Sequence, residues 1–581
     1  MGQLQFLAAL LSVFPQIGYA KPVDSHYPPS TKPVQTRQFS NNLGAVACES
    51  EICSTIGVNI LREGGNAADA MVATVLCVGT VGMYHSGIGG GGFMLIHKPN
   101  GKNESSAYEF VDFREMAPAA ATEDMFKKNV NESIYGGKAS GVPGELRGLE
   151  HLHKKYGSLP WSELVQPAIK VARYGFPVNN DTMNFMKRTY TKSENESFLV
   201  NDPAWAIDFA PSGKLVQIGE KLTRRRFADT LEAIADGGAD VFYEGPIADA
   251  TIRTLQREKG IMTTEDLKNY TVEIREPSQI NYRGGKVTSG SAPSSGAVVA
   301  ATLNILEGYD FLGDPSRVND SAYYLDEAFK FSYGMRTNLG DPNYVDDLPK
   351  YQAEMYSKAT GQEIRAKLEG SPLELKEYDP EGLESLDTPG TSHIVAMDSS
   401  GLAISLTTTI NLNFGSQVII PETGIIMNNE MNDFSIPGES NQFGFIPSEA
   451  NFIRPGKRPL SSISTTIVEG PDGQVSLVTG SAGGSRIITA TAQVVLNTID
   501  KNMTVAEALA APRLHDQLVP RRVTFEYAFD NSTVAYLEGI GNNVTWVAPG
   551  QSTAQALRRL MNGTFEAAGE PRQVNSGGFS T

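Results

Sequence analysis

The pattern of apolar and polar positions changes character once along the chain, near residue 390. Upstream, apolar positions recur at helical spacing. Tyr324, Leu325, Ala328, Phe329 and Phe331 line one face of a helix over 321–336. Two further helices are expected between Cys53 and Gly82. The first ends at Gly64–Gly65, and Asn66 caps the second, Ala67 to about Val78. Leu159–Pro160–Trp161 opens another that ends near Gly175, with Pro160 suited to its first turn. Thr264–Glu265 leads into a short helix, Asp266–Asn269, and residues 119–390 read as largely helical with loops between. Downstream the period becomes two. Thr391–Met397, Leu402–Thr409, Val418–Ile420, Ile463–Val468 and Val475–Thr479 read as strands. Helices follow at Arg486–Asn497 and Thr504–Ala511, the latter opening with the capping box Thr504-x-x-Glu507. Runs of strands flanked by helical segments fit helices layered on packed sheets. No internal repeat or low-complexity linker marks an autonomous domain boundary.

Composition adds little to this outline: 581 residues, 40% hydrophobic and 20% charged, is ordinary for a globular chain. The net charge of −17 argues against nucleic acid and anionic membrane surfaces as partners. Arg224–Arg225–Arg226 is the densest basic run and reads as a solvated helix face. The N-terminus carries more information. Phe6–Phe14 is an apolar run broken by Pro15, with small residues up to Ala20, although no Lys or Arg precedes it. Residues 1–20 therefore read as a secretory signal peptide, too short to span a bilayer, which needs about 20 apolar residues. Residues 21–43 are polar and proline-rich. Asn-x-Ser/Thr sequons at Asn103, Asn131, Asn180, Asn195, Asn269, Asn319, Asn502, Asn531, Asn543 and Asn562 agree with secretion of a glycoprotein. A vacuole or the cell surface is the alternative destination. Three cysteines, Cys48, Cys53 and Cys77, form neither a disulfide scaffold nor a zinc spacing, and an odd count leaves at least one thiol unpaired. The seven histidines show no metal spacing. Gly87–Ile88–Gly89–Gly90–Gly91–Gly92 fits G-x-G-x-x-G literally. A helix precedes it and a strand follows, the reverse of a dinucleotide site, so close backbone packing is the expected role.

Candidate chemistry gathers where the pattern changes. Asp387–Thr388–Pro389–Gly390 is a loop that runs into the strand beginning at Thr391. A threonine behind glycine at a strand start suits a hydroxyl that attacks the preceding peptide bond and is thereby freed as a new N-terminus. Its own α-amine can then act as general base. By composition alone, Thr391 would simply be a β-branched residue beginning a strand.

Four blocks follow in order: Thr407–Thr408–Thr409–Ile410–Asn411–Leu412–Asn413–Phe414–Gly415–Ser416, Asn428–Asn429–Glu430–Met431–Asn432–Asp433–Phe434, Pro459–Leu460–Ser461–Ser462, and Gly480–Ser481–Ala482–Gly483–Gly484–Ser485. Upstream stands Val111–Asp112–Phe113–Arg114–Glu115–Met116–Ala117–Pro118. Together with Gly390–Thr391, this ordered set resembles the γ-glutamyltransferases over nearly the whole chain after residue 44. The resemblance implies an α+β fold, the αββα sandwich of N-terminal-nucleophile hydrolases. It implies self-cleavage between Gly390 and Thr391 into a large subunit (21–390) and a small subunit (391–581) that share one fold. Thr391 would be the nucleophile, Thr409 its orienting partner, and Gly483–Gly484 the oxyanion donors. Arg114, Ser461 and Ser462 would face the α-carboxylate of a γ-glutamyl group; Asn411, Glu430 and Asp433 would face its α-ammonium. Substrates would be glutathione and other γ-glutamyl compounds, with water, amino acids or dipeptides as acceptors, and no cofactor or metal. The spacing of Cys53 and Cys77 matches a disulfide of animal members, which leaves Cys48 free. Asn413 departs from the tyrosine common in animal members and lies near the acceptor side. Two other readings share parts of this pattern: a glutaryl-type β-lactam acylase of the same fold, and a catalytically inactive relative acting as a binding protein. Arg114, Glu430 and Asp433 favour an amino-acid head group over the former; Thr391, Thr409 and Gly483–Gly484 argue against the latter.

Overall fold

The computed structural model describes residues 42–98, 107–190, 193, 196–383, 390–438 and 446–581. The signal-peptide segment, nearly all of the polar lead-in, Asn103, Asn195 and Asp387–Pro389 lie outside the described residues.

Two antiparallel sheets stack face to face and helices cover both outer faces. The first sheet has seven strands in the spatial order Gly577–Ser580, Gly44–Cys48, Ser392–Asp398, Ala403–Thr409, Gly91–Lys98, Ala107–Phe113, Glu273–Arg275. The second has six, in the order Phe565–Ala568, Thr553–Arg559, Val475–Ala482, Thr466–Glu469, Gly285–Ser289, Ser278–Tyr282. Every strand of the first sheet's centre is buried on both faces, and alternation sorts its side chains between two cores. Val395, Met397, Phe93 and Leu95 meet Ile467, Val478 and Leu557 between the sheets. Ile394, Ala396, Met94 and Ile96 point the other way, into the core shared with the helices Glu51–Arg62 and Ala67–Val81. On the far side, helices Gly296–Leu306 and Arg486–Ile499 cover the second sheet.

The strands Ser392–Asp398 and Ala403–Thr409 are inserted between Gly44–Cys48 and Gly91–Lys98. Ser392–Asp398 pairs with Gly44–Ala47 on one edge, and Ala403–Thr409 pairs with Gly91–His97 on the other. Sequence on either side of residue 390 is thus interleaved in one hydrogen-bonded sheet and one core.

Local signals mostly hold. Asn66 Oδ1 accepts from the N–H groups of Ala68 (2.9 Å) and Asp69 (3.1 Å), and the Asp69 carboxylate accepts from the Asn66 N–H in return. Thr504 and Glu507 form the same reciprocal box over Val505–Ala510. Cys53 and Cys77 are joined by a disulfide with Cα atoms 5.4 Å apart, between the first two helices; Cys48 is free and buried.

Three expectations need correction. Residues 119–390 are not only helical: Glu273–Arg275, Ser278–Tyr282 and Gly285–Ser289 supply edge and inner strands to both sheets. Val418–Ile420 forms no ladder, only a bridge from Ile419 to Ile426, because the chain turns back at 421–424 before a second pair can form. Arg224 is not on a solvated face. It precedes the helix Arg225–Gly237 and is buried, donating to the carbonyls of Gly79 (3.0 Å) and Gly424 (2.9 Å). Three backbone carbonyls from two segments, Gly79 and Thr80 of one helix and Gly424 of a distant turn, need a buried donor there, and a planar guanidinium supplies several from one side chain.

Candidate active site

Thr391 lies immediately before the strand Ser392–Asp398, and Thr409 ends the neighbouring strand. Ser392 pairs with Thr408, so the two threonines stand at the same end of adjacent strands. The Thr391 hydroxyl donates to Thr409 Oγ1 at 3.3 Å, and Thr409 Oγ1 also accepts the backbone N–H of Asn411 at 2.8 Å. Thr409 is thereby fixed from two directions and holds the Thr391 hydroxyl in one orientation. Both are buried.

The backbone at this point is strained. Gly390 has φ +152° and Thr391 has φ +105°, a value that a β-branched residue rarely adopts. Such outliers persist only where the surroundings enforce them, and each costs on the order of 1–3 kcal/mol. The enforcing contact is visible at Gly390: a Cβ there would fall 1.7 Å from the Asn411 carbonyl oxygen. Only glycine lets the backbone approach so closely. The glycine loop before the strand Gly91–Lys98 has a related task. A Cβ on Gly90 would lie 2.0 Å from the Thr409 carbonyl oxygen, so this loop backs the end of the Thr409 strand, as close packing predicts.

Arg114 follows the strand Ala107–Phe113 and is fully buried. Its guanidinium pairs with Glu430 and with Asp433 Oδ2, the latter at 2.5 Å. Glu430 and Asp433 sit on a single 3₁₀ turn, Glu430–Asp433, which aims both carboxylates the same way. Asp112 Oδ1 accepts the Arg114 backbone N–H at 3.0 Å and its carboxylate also pairs with Arg275 and Arg458, locking the base of the arginine. Ser461 is held by its backbone, its N–H donating to the Pro293 carbonyl (2.8 Å) and its carbonyl accepting from Ser295 Oγ (2.5 Å). Ser462 Oγ accepts from Arg336 at 3.1 Å. Arg114 donates at 3.4 Å to the carbonyls of Pro459 and Leu460, next to these serines. Asn411, in the left-handed region at φ +68°, donates its side-chain amide to the Asn429 carbonyl at 3.1 Å. Arg114, Glu430, Asp433, Ser461 and Ser462 are therefore one nest, and Asn411 connects it to Thr409.

The electrostatics are those of too many acids around one arginine. Burial first, then the neighbouring Glu115 and Asp433, push the Glu430 carboxyl well above the usual carboxylate range, although Arg114 opposes them. Burial also raises Glu115 to about 7. Burial works against the Arg114 charge, but Glu430 and Asp433 outweigh it and hold the guanidinium charged. Two oxygens of the nest, Glu430 Oε2 and Asp433 Oδ1, are buried with no hydrogen-bond partner among the described residues. Unpaired buried acceptors are expensive unless a donor arrives.

Gly483 (φ +123°) and Gly484 (φ +60°) stand between the strand Val475–Ala482 and the helix Arg486–Ile499. The strand packs across the sandwich on the strand that Thr391 opens, so the two glycines turn at a helix start on the facing sheet. N–H groups in the first turn of a helix lack intrahelical partners and suit an oxyanion.

Several neighbours were not singled out from the sequence. His85 Nε2 lies 2.8 Å from Glu49 and 3.1 Å from Ser392 Oγ, beside the Gly390–Thr391 bond. His85 and Ser86 directly precede the glycine loop, which was the available signal. Arg336, last in the helix Val318–Arg336, adds a second guanidinium beside Ser462; nothing local marks it. Glu145 hydrogen-bonds the Thr408 hydroxyl, and burial raises its pKa to about 8. Among the described residues no group of three His, Cys, Asp or Glu side chains is arranged to hold a metal ion.

The family model for Gamma-glutamyltranspeptidase matches residues 53–579. A glutathione hydrolase proenzyme of Arthroderma benhamiae is 52% identical over 98% of this chain and 97% of its own length. A glutathione hydrolase of Aspergillus flavus is 49% identical over 92% of this chain and 89% of its own. Among solved structures, a cephalosporin acylase from Bacillus halodurans superposes with a TM-score of 0.79 at 25% identity, covering 95% of this chain and 99% of that one.

Proposed function

The chain belongs to the gamma-glutamyltranspeptidase family, and from that premise we propose how its residues divide the work. It is an enzyme with the N-terminal-nucleophile hydrolase fold, of the glutathione hydrolase type. We assign glutathione and related γ-glutamyl compounds as substrates, with water or an amino acid or dipeptide as acceptor.

Processing comes first. The Thr391 hydroxyl attacks the Gly390 carbonyl, the Gly390–Thr391 amide becomes an ester, and water opens it. The strained backbone at 390 and 391 raises the starting state, and the Thr409 contact aims the attacking oxygen. The products are a chain ending at Gly390 and one beginning at Thr391. The interleaved sheets support their staying together, since separation would break four strand ladders and a continuous core.

Turnover reuses the same oxygen. Thr391, its freed amine now the base, attacks the γ-carbonyl and the amine half leaves; acceptor or water then attacks the γ-glutamyl ester. Gly483 and Gly484 are assigned to the oxyanion. The observation that carries the substrate assignment is the nest of Arg114 with the unpartnered Glu430 Oε2 and Asp433 Oδ1. An α-ammonium would satisfy both acceptors and favour ionisation of the crowded acids. An α-carboxylate would then compete for Arg114 and the two serines. A plain acyl chain would do neither, so the β-lactam acylase reading has less support, and relatives at about half identity carry glutathione hydrolase names.

For location we propose secretion. The support is the signal-peptide pattern, together with exposed sequon asparagines at 131, 180, 269, 502, 531, 543 and 562. No helix among the described residues is long and apolar enough to cross a membrane.

The test is a gel and N-terminal sequencing of the purified protein, beside release of the chromophore from a γ-glutamyl anilide. The smaller chain should begin Thr-Ser-His, and Thr391→Ala should leave one uncut, inactive chain. A different start, or cleavage of the alanine variant, would overturn the assignment of Thr391.

A further inference from the structure

A second compartment adjoins the nucleophile. It is a cavity of about 270 Å³ whose lining includes Gly390, His85, Phe185, Arg188, Asn413 and Gln417. None of the nest residues lines it. Gly390 is bonded to the Thr391 nitrogen, and Asn413 lies two residues beyond Asn411. The cavity therefore reaches the residue bonded to the nucleophile, and the nest lies outside its lining. A γ-glutamyl amide seated with its head group in the nest would direct the amine half of the molecule into this space.

The cavity is built to meet charge. Arg188 caps the C-terminus of the helix Asn180–Lys187, and its guanidinium lies over the Phe185 ring, 4.5 Å from the centroid. Phe185 is itself stacked on Tyr84 at 4.2 Å and edge-on to His85 at 5.1 Å, so the platform under the arginine is anchored beside the glycine loop. A cation over an aromatic face keeps its N–H donors free at the guanidinium edge. Among the described residues no carboxylate stands within ion-pair distance of Arg188. Asn413 donates its amide to the Phe185 carbonyl at 3.1 Å, while its Oδ1 is buried without a partner. One wall thus offers a cation and another an unused acceptor. Ligand pockets of drug-sized molecules run about 300–1,000 Å³, so this one suits something of dipeptide size.

We infer that Arg188 sets the specificity of the amine half of the reaction, selecting in this cavity amines that carry a free carboxylate, with Asn413 Oδ1 receiving a donor N–H of the same molecule. The inference rests on the γ-glutamyl reading above and names the specificity of its second half. Glutathione releases a dipeptide with a terminal carboxylate, which Arg188 would grip. An anilide has none. Arg188 is exposed and outside the core, so its replacement leaves folding intact.

The experiment compares wild type with Arg188→Ala on four ligands: glutathione and a γ-glutamyl anilide as donors, glycylglycine and glycylglycinamide as acceptors. For a lost charge-assisted hydrogen bond, kcat/KM on glutathione should fall about ten-fold or more, while anilide hydrolysis stays within about two-fold. The KM for glycylglycine should rise and that for its amide should not. Arg188→Lys should recover part of the glutathione loss, since it restores the charge without the planar fork. Unchanged glutathione kinetics, or an equal fall on glutathione and anilide, would overturn the role of Arg188. A wild-type enzyme inactive on both donors would instead sink the γ-glutamyl reading, and this inference with it.

Discussion

Replacing Asp433 by asparagine removes one charge from the nest and changes almost nothing in volume. Asp433 Oδ2 pairs with Arg114 at 2.5 Å, and an amide oxygen can still accept there. Oδ1, which has no partner among the described residues, becomes the variable atom. If it receives the substrate ammonium, the variant either presents an NH2 to that cation or turns its oxygen to it and abandons Arg114. In both cases one charge-assisted hydrogen bond is lost, worth about 1.5–3 kcal/mol. A tenfold rate change corresponds to about 1.4 kcal/mol, so kcat/KM should fall by roughly ten- to a hundredfold. A smaller opposing effect comes from Glu430, whose carboxyl is pushed up partly by Asp433 and ionises more readily without it. Self-cleavage should be normal, because the chain presents its own Gly390 to Thr391 and brings no free ammonium. The assay is a denaturing gel for the two chains beside steady-state kinetics on a γ-glutamyl anilide. Turnover at the wild-type rate would refute the carboxylate's role with substrate. Loss of self-cleavage with loss of turnover would show that Asp433 acts on the fold or on Thr391 instead.

Two further outcomes follow from particular contacts. Gly390→Ala places a methyl 1.7 Å from the Asn411 carbonyl oxygen, so the scissile bond must move; processing on a gel time course should slow by at least about tenfold, equivalent to about 1.4 kcal/mol, and an unchanged rate would remove the strained geometry from the argument. Glu145 has a folded-state pKa raised by burial from 4.5 to about 8, so the folded state binds the proton more tightly than the unfolded state. Its stabilising contribution is complete below pH 4.5 and is lost as pH rises toward 8. Glu145→Gln, which mimics the protonated acid beside Thr408, should flatten the decline of Tm across that window; an unaltered slope would show that Glu145 does not titrate there.

Much of the outer architecture was legible one segment at a time. The caps at Asn66 and Thr504 and the alternation of Thr391–Met397 and Leu402–Thr409 are interactions between residues close in sequence, and the chain states them directly. Ser278–Tyr282 also alternates strictly between buried and exposed, yet five residues set among helical segments are too few for the period to stand out in the sequence. Arg224 misled for the opposite reason: three consecutive arginines look solvated unless the carbonyls of Gly79 and Gly424 are known to converge on one of them.

By itself, the sequence determined the chemistry that one position and its neighbours can carry: a threonine behind glycine at a strand start, and the ordered blocks that mark its kin. The tertiary structure alone decided what meets what. Arg114 reaches Glu430 and Asp433 across more than three hundred residues. Gly390 is pressed on Asn411, and Arg188 is laid over Phe185 beside the same bond. The physical reason is the interleaved sheet. Burying strands on both faces and on both edges fixes their register, and register carries side chains distant in sequence into one water-poor space, where their charges and unpaired acceptors acquire a function.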